Sequence, residues 1–410
     1  MNNIIFHIDF DSYFASAHRV LNPQYENKPI AIADNKKRSI ACSVSYELKN
    51  KGAKSGWPNY KILQVEPRTI FIKPDFNLYV KLSTKIFEYL AQNYTKKIEV
   101  YSIDECWMDV SDITNLNDAE QLALKIQQQI KQKFRIPISI GISFNKFIAK
   151  LSTNLAKPFG VLLTKFSDIK NRIWPLDIEE YFGIGKSTAT KLRNVGINTI
   201  GKLAARNKYD HDLYEIFKSQ TSVFIEEAKG NGKIGLNYAR NELKSIGNEL
   251  TFLSIDLDDR TELLKILYQL SLKVSTRAIN RNMLGYSVTV SLRSIEKVWR
   301  RKQLTLKHPI NAADEIYKNG TNLFNQLFKE QMIRGIGIKL SQLVNEFDIG
   351  KPQSLFEDQK TPDTNKLKIL VDDLNKKIRK KVLKTGIEFE KDKVKENVQN
   401  RYLKNDREEN

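Results

Sequence analysis

The sequence predicts an α+β protein of several domains, and three successive patterns along its 410 residues carry that reading. Residues 1–166 alternate short apolar runs with stretches of helical spacing, as a mixed α/β layer does. Residues 167–233 change to short helices set between Gly-centred turns. From 246 to 344 the order becomes strand, helix, strand, strand, helix, strand, which gives a four-stranded sheet with two helices on one face.

The first strand is read at 4–9, in NIIFHIDFDSYFA, where Ile4, Phe6 and Ile8 alternate with Ile5 and His7 before acid at Asp9 and Asp11. Ser12 onward reads as a helix to residue 21, for which Asp11 could be simply the N-cap. Strands follow at 29–33 and 39–44, a helix at 76–93, strands at 98–103 and 106–111, a helix at 118–133, a strand at 137–143 and a helix at 145–156. Within EVYSIDECWMDV (99–110) two carboxylates, Asp104 and Glu105, interrupt apolar sequence. A solvated hairpin turn is the ordinary explanation of such a pair. Against it, Val100, Tyr101 and Ile103 on one side and Cys106, Trp107, Met108 and Val110 on the other supply no Gly, Pro or Asn for a tight turn. Successive strand residues point to opposite faces, so both carboxylates can serve one site only where the chain bends. Asp9, Asp104 and Glu105 at the ends of core strands would repel one another unless a divalent cation neutralised them. Oxygen ligands favour Mg²⁺ or Mn²⁺, and the few His and Cys offer no zinc cluster.

In YFGIGKSTATKLRNVGINTIGKLA the turn Gly183-Ile184-Gly185 precedes one helix and Val195-Gly196-Ile197 another, which looks like a helix-hairpin-helix, although Gly-x-Gly is also a plain turn between helices. In the first reading Gly183, Gly185 and Lys186 would meet a phosphate without regard to base sequence. The polar stretch KGNGKIGLNYARNELKS (229–245) reads as a linker. Strands then follow at 246–254, 283–294, 301–308 and 334–344, with helices at 260–280 and 312–330. Residues 240–345 hold 17 Lys or Arg against 10 Asp or Glu, and Arg293, Lys297, Arg300, Arg301, Lys302 and Lys307 fall on the middle hairpin, a surface suited to tracking phosphates. RNA-recognition modules share this topology, but their aromatic RNP motif is missing here. The last segment, 347–410, is highly charged.

Composition narrows the partners. With 67 Lys or Arg against 48 Asp or Glu the chain carries +19, and such an excess suits a polyanion, nucleic acid before membrane. No apolar run approaches the ~20 residues of a spanning helix, so no membrane partner is expected. MNNIIFHIDF has no basic start and carries Asp9, so no secretory leader is expected either. Cys42 and Cys106, both in apolar strand-like runs, are expected as reduced thiols in a cytoplasmic protein.

HIDFDSYFASAHRVLNP, YSIDE, GISFNKFIAKLSTNLAKPFG, the Gly183-Ile184-Gly185 hairpin and KSIGNEL stand in the order and spacing of Y-family translesion DNA polymerases. The chain resembles that family over roughly residues 1–346, and looks closest to its bacterial polymerase IV and UmuC-like branches. The resemblance implies a right-hand polymerase: palm at 1–10 and 77–166, fingers at 11–76, a helical thumb at 167–233, a linker at 234–245, a little finger at 246–346 and a charged tail at 347–410. It implies two Mg²⁺ ions, replaceable by Mn²⁺, held by Asp9, Asp104, Glu105 and the backbone carbonyl of Phe10. Ser43, Tyr46 and Lys49 of SIACSVSYELKNKG and Lys157 of LAKPFG would face the triphosphate, and Phe14 would be a steric gate against a ribose 2′-hydroxyl. Lys49 stands where many relatives carry Arg, giving a point charge rather than a bidentate fork. Read without the family, Ser43 and Tyr46 are an ordinary strand-to-helix transition. Phe14 is likewise a core aromatic, a role compatible with gating.

The activity so implied is template-directed, error-prone DNA synthesis across damaged templates, without proofreading, by a monomer that takes primer-template DNA and dNTP. A class III nucleotidyl cyclase shares the palm-like sheet and metal carboxylates, but the Gly hairpin and the basic C-terminal sheet argue against it. A catalytically dead DNA-binding accessory factor would not need all three acids. In GKPQSLFEDQ (350–359), Leu355 and Phe356 resemble the end of the peptide by which bacterial polymerases bind the sliding clamp, with Pro352 at the usual Gln position. The alternative is a plain linker pair. Leu367, Ile369, Leu370, Leu374 and Ile378 follow at helical spacing.

Overall fold

The computed structural model describes residues 3–36, 38–237 and 243–348; Leu355, Phe356 and the apolar spacing at 367–378 lie outside them. All described elements fall within Met1–Glu346. Among them are the strands β1 (Ile5–Phe10), β2 (Ile30–Ile32), β3 (Ser43–Val44), β4 (Ile70–Ile72), β5 (Ile98–Val100), β6 (Glu105–Asp109), β7 (Ile138–Ser143), β8 (Val161–Leu163), β9 (Ser245–Thr251), β10 (Met283–Ser294), β11 (Trp299–Ile310) and β12 (Ile333–Asn345). They form a sheet ordered β5-β6-β1-β7-β8, a small sheet β3-β2-β4 and a C-terminal sheet β11-β10-β12-β9.

β1 is the centre of the first sheet, antiparallel to both β6 and β7. Its alternation divides the site from the core. Phe6, Ile8 and Phe10 join Cys106 and Met108 of β6 in a core closed by the helices Phe76–Asn93 and Ala119–Phe134. Ile5, His7 and Asp9 point the other way, with Trp107 opposite His7 and Glu105 opposite Asp9 in the β1–β6 register. The helix Lys146–Ala156 covers that second face. It can lie so close because β7 carries Gly141: a Cβ there would stand 2.1 Å from the Ala149 carbonyl oxygen. The same helix buries Phe147, Ile148 and Leu151 against the helical segment that runs from Ile169 to Lys229.

The turn between β5 and β6 corrects the strand expected at 98–103, which ends at Val100. Tyr101 to Asp104 make the turn without Gly, Pro or Asn, because Ser102 Oγ donates to Asp104 Oδ1 at 2.5 Å while the Tyr101 and Ser102 amides donate to the Glu105 carbonyl. The chain does turn between the two strands: Asp104 sits in the turn and Glu105 opens β6. The strand expected at 39–44 contracts to β3, which leaves Cys42 exposed and outside any strand. β4, β8 and the helix Asn59–Val65 were not expected. Asp11 is not the N-cap of the helix Tyr13–Leu21; Ser12 takes that place in the left-handed region at φ 44°, and Asp11 is buried instead.

In the C-terminal sheet Val288, Val290 and Leu292 face the helices Arg260–Ile279 and Ala313–Leu327, while Ser287, Thr289 and Ser291 face away. Asp256 accepts from Arg334 at 3.1 and 2.9 Å and from Arg38 at 2.7 Å, tying this part of the chain to the loop before β3. Among the described residues no helix is long and apolar enough to cross a membrane.

Candidate active site

Beside the free end of β1 opens a cleft of about 200 Å³ lined by Asp9, Phe10, Phe14, Ser43, Tyr46, Lys49, Asp104 and Lys157, with Ser12, Tyr13, Cys42 and Ser55. β1 and the β5–β6 turn bring Asp9 and Asp104 there, held together by the Phe10 amide donating to the Asp104 carbonyl at 2.8 Å. β3 and the helix Tyr46–Lys49 supply the opposite wall. Every cleft residue singled out from the sequence is present, and Glu105 is the one expected catalytic residue that does not line it.

Two lysines explain the arrangement. Lys157 Nζ lies 2.7 Å from Asp9 Oδ2. Burial nevertheless raises the Asp9 carboxyl to about 6, with Asp104 and Glu105 adding to the rise and Lys157 opposing it. Glu105 is engaged by Lys150 on the sheet face. Burial alone would raise its carboxyl, but the Lys150 ammonium against it holds it below the usual carboxylate range. Among the described residues no three His, Cys, Asp or Glu side chains converge on a common point. Asp9 and Glu105 are each paired with an ammonium while Asp104 accepts from the Ser102 hydroxyl, and the donor set is all oxygen, which fits a hard divalent cation rather than zinc or copper.

Asp11, read from the sequence only as a possible N-cap, and His7 and Lys150, given no role there, hold this site. Asp11 accepts from Ser139 Oγ at 3.0 and 2.9 Å, from the Phe159 amide at 2.8 Å and from the Tyr46 hydroxyl at 3.1 Å. Tyr46 therefore spends its proton on Asp11 rather than on the cleft, and burial followed by the Asp11 charge raises its phenol. Lys49 lies over the Tyr46 ring at 4.3 Å, and burial followed by the Lys157 charge lowers its ammonium. His7 is wholly buried and burial lowers it to about 4, so its ring is neutral. One signal was available: His7 and Lys150 are polar residues in the middle of apolar periodic runs.

Phe14 rests on Tyr79 in a parallel stack, centroids 4.1 Å apart, and edge-on to Phe76 at 5.9 Å. Gly183, Gly185 and Lys186 are exposed at the start of the helix Lys186–Asn194, with Ile184 buried beneath them. Gly183 has φ +105°, a conformation that favours glycine, and no atom lies within 4 Å of where a Cβ would stand. The basic cluster on the C-terminal hairpin is divided by strand alternation. Arg293, opposite Trp299, and Arg301, opposite Ser291, lie on the open face, while Arg300 and Lys302 stand opposite buried Leu292 and Val290 on the helix side. Arg300, Arg301 and Lys302 lie on β11, an edge strand, and Arg293 on its neighbour β10.

Comparison with known proteins agrees with this geometry. Residues 8–154 match the model of the impB/mucB/samB family, residues 243–355 that of the impB/mucB/samB family C-terminal domain, and residues 167–197 the IMS family HHH motif. DNA polymerase IV of Oceanobacillus iheyensis is 33% identical over 379 residues, 92% of this chain and 90% of the relative. DNA polymerase IV 1 of Bacillus subtilis is 32% identical over 399 residues, 96% and 95% of the two chains. Among solved structures, the Y-family DNA polymerase chimera Dbh-Dpo4(243-245)-Dbh superposes with a TM-score of 0.74 at 27% identity over 83% of this chain and 99% of that one. DinB from Sulfolobus solfataricus gives 0.55 at 28% identity over 82% and 98%. With carboxylates at the palm strand ends, a helix-hairpin-helix, a four-stranded C-terminal sheet and relatives matched over nearly their whole length, the chain belongs to the impB/mucB/samB family, the Y-family DNA polymerases.

Proposed function

We propose that this chain is a template-directed, error-prone DNA polymerase that extends primers across damaged templates by two-metal nucleotidyl transfer, without proofreading. The observation that carries the reading is the single cleft in which Asp9, Asp104, Phe10, Phe14, Ser43, Lys49 and Lys157 meet. Asp9, Asp104, Glu105 and the Phe10 carbonyl would hold two Mg²⁺ ions. When bound, these supply activation of the primer 3′-hydroxyl and charge neutralisation at the triphosphate and departing pyrophosphate. Lys157 and Lys49 bring two positive charges to the side of the cleft where a triphosphate would lie, and Ser43 adds a hydroxyl donor. Asp11 locks Tyr46 as the wall of that pocket. Phe14, backed by Tyr79, excludes a 2′-hydroxyl by bulk.

DNA would be held through phosphates, by Gly183, Gly185 and Lys186 at the hairpin and by Arg293, Arg300, Arg301 and Lys302 at the C-terminal sheet, so its affinity should fall steeply with salt. A sliding clamp is the further partner that Leu355 and Phe356 suggest from sequence, and a monomer in the cytoplasm the working form.

The test is primer extension on undamaged and abasic templates with Mg²⁺ and each dNTP singly, with primer shortening scored for exonuclease. Asp104→Ala or Glu105→Ala should abolish incorporation, by about a thousandfold or more, while primer-template affinity stays near that of wild type. Near-normal turnover by either variant would sink the ligand assignment.

A further inference from the structure

We infer that Lys150 is a positioning residue for Glu105, covered and held in that role by Phe182 of the thumb; the inference rests on the polymerase reading above. Lys150 lies in the middle of the helix Lys146–Ala156 and is 9% exposed, an unusual place for an ammonium unless every N–H is answered. One answer is the Glu105 carboxylate. Another is His7 Nε2 at 3.5 Å. The Thr153 hydroxyl, 3.0 Å from both the His7 and Ala149 carbonyls, donates to the backbone and so accepts from His7 Nδ1 at 2.9 Å. That leaves Nε2 as an acceptor for Lys150 rather than a donor to Glu105, which lies 3.4 Å away. The remaining side of the ammonium is enclosed by rings, with Phe182 at 4.8 Å, Tyr101 at 5.6 Å and Trp107 at 5.9 Å.

Lys146, one turn earlier, is a useful contrast. It is spent on Glu99, away from the carboxylates, whereas Lys150 alone reaches one of them from this helix. Phe182 immediately precedes Gly183, so the ring that covers Lys150 belongs to the hairpin read as gripping DNA. A cation fixed behind Glu105 has two consequences of opposite sign. It sets the direction of the carboxylate, which helps the reaction, and it repels any divalent ion brought to the same carboxylate, which weakens ion binding. The repulsion would follow from any ammonium at that place; the loss of rate is what marks a positioning role.

The full chain without DNA, titrated with Mn²⁺ by calorimetry, and the same chain in single-nucleotide insertion with Mg²⁺ separate these cases. Lys150→Met should bind Mn²⁺ about three- to tenfold more tightly, yet insert at least about tenfold more slowly with the dNTP KM within about twofold of wild type. Lys150→Arg, which keeps the charge, should retain the rate to within about threefold. Phe182→Ala should move both quantities in the direction of Lys150→Met by a smaller factor, and serves as the test if Lys150→Met does not fold. Unchanged or weaker Mn²⁺ binding, or an unchanged rate, in Lys150→Met would overturn the inference, as would wild-type values of both in Phe182→Ala. A wild-type chain unable to extend a primed template would overturn the polymerase reading instead, and the Mn²⁺ titration would still judge Lys150.

Discussion

Asp9 holds a carboxyl that burial raises to about 6 from 3.8, even with Lys157 beside it. For an acid raised in the fold, the protonated form is the one the fold favours. The penalty is therefore absent below about pH 4, grows as pH rises through 6 and is complete above it, on the order of 2–3 kcal/mol. Asp9→Asn should stabilise the metal-free chain in chelator at about pH 8, less whatever Lys157 loses with its partner, and give no gain near pH 4; urea unfolding at the two pH values reads the difference. Equal or lower stability of the variant at the higher pH would count against the raised carboxyl. At Phe14 the stack on Tyr79 shows why the sequence supported both of its readings, since one face packs on the core and the residue also lines the cleft. Phe14→Ala should raise ATP incorporation relative to dATP by about tenfold or more, because exclusion by clash is relaxed when the ring goes; unchanged discrimination would return Phe14 to a purely packing role. Acids at the ends of apolar strands were legible residue by residue. Lys150 and Asp11 were not, because what gives them meaning is a partner 143 and 128 residues away in the chain, His7 and Ser139.

Elements with many turns of one period were read almost to the residue: the helix Phe76–Asn93 and β10 fall where the pattern put them. β4 and β8 did not announce themselves, because three residues are too few to display alternation and both take their place only by pairing in parallel with β2 and β7. The β5–β6 turn was expected, but its early start after Val100 was not, for another reason. Its geometry comes from side-chain hydrogen bonds of Ser102 and Asp104, not from the turn residues a sequence reader looks for. Gly141 is the element-scale feature with the largest consequence. It fixes how closely the helix bearing Lys150 approaches β7, and a methyl group there meets helix backbone, at 2.1 Å from the Ala149 oxygen and 2.3 Å from the Thr153 nitrogen, not a flexible side-chain end. Gly141→Ala should cost about 3 kcal/mol or more and lower activity by displacing the helix from Glu105. Denaturant unfolding with near-wild-type stability would mean that the helix shifts freely.

Over the whole molecule, the order of the motifs gave the order of the parts, while contacts between parts, such as Arg38 with Asp256, could not be read from either sequence segment alone. The charge of +19 is a molecular property too: it favours any DNA, without choosing a primer end. Phosphate contacts of this kind hold an enzyme briefly, and a dissociating polymerase adds few nucleotides per encounter. A tether to a ring around DNA would change that by raising the local concentration of the primer end, without any new contact in the active site. Leu355 and Phe356 are the adjacent bulky apolar pair in a charged stretch, and the resemblance to a clamp-binding peptide proposed for them has Pro352 at the usual Gln position. The two effects separate experimentally. Leu355→Ala with Phe356→Ala should leave single-nucleotide insertion on a short primer within about twofold of wild type, because that reaction needs only the cleft and the phosphate contacts. The same variant should lose the increase in product length that a loaded clamp gives the wild type, whereas equal stimulation of both would show that the pair is not the tether.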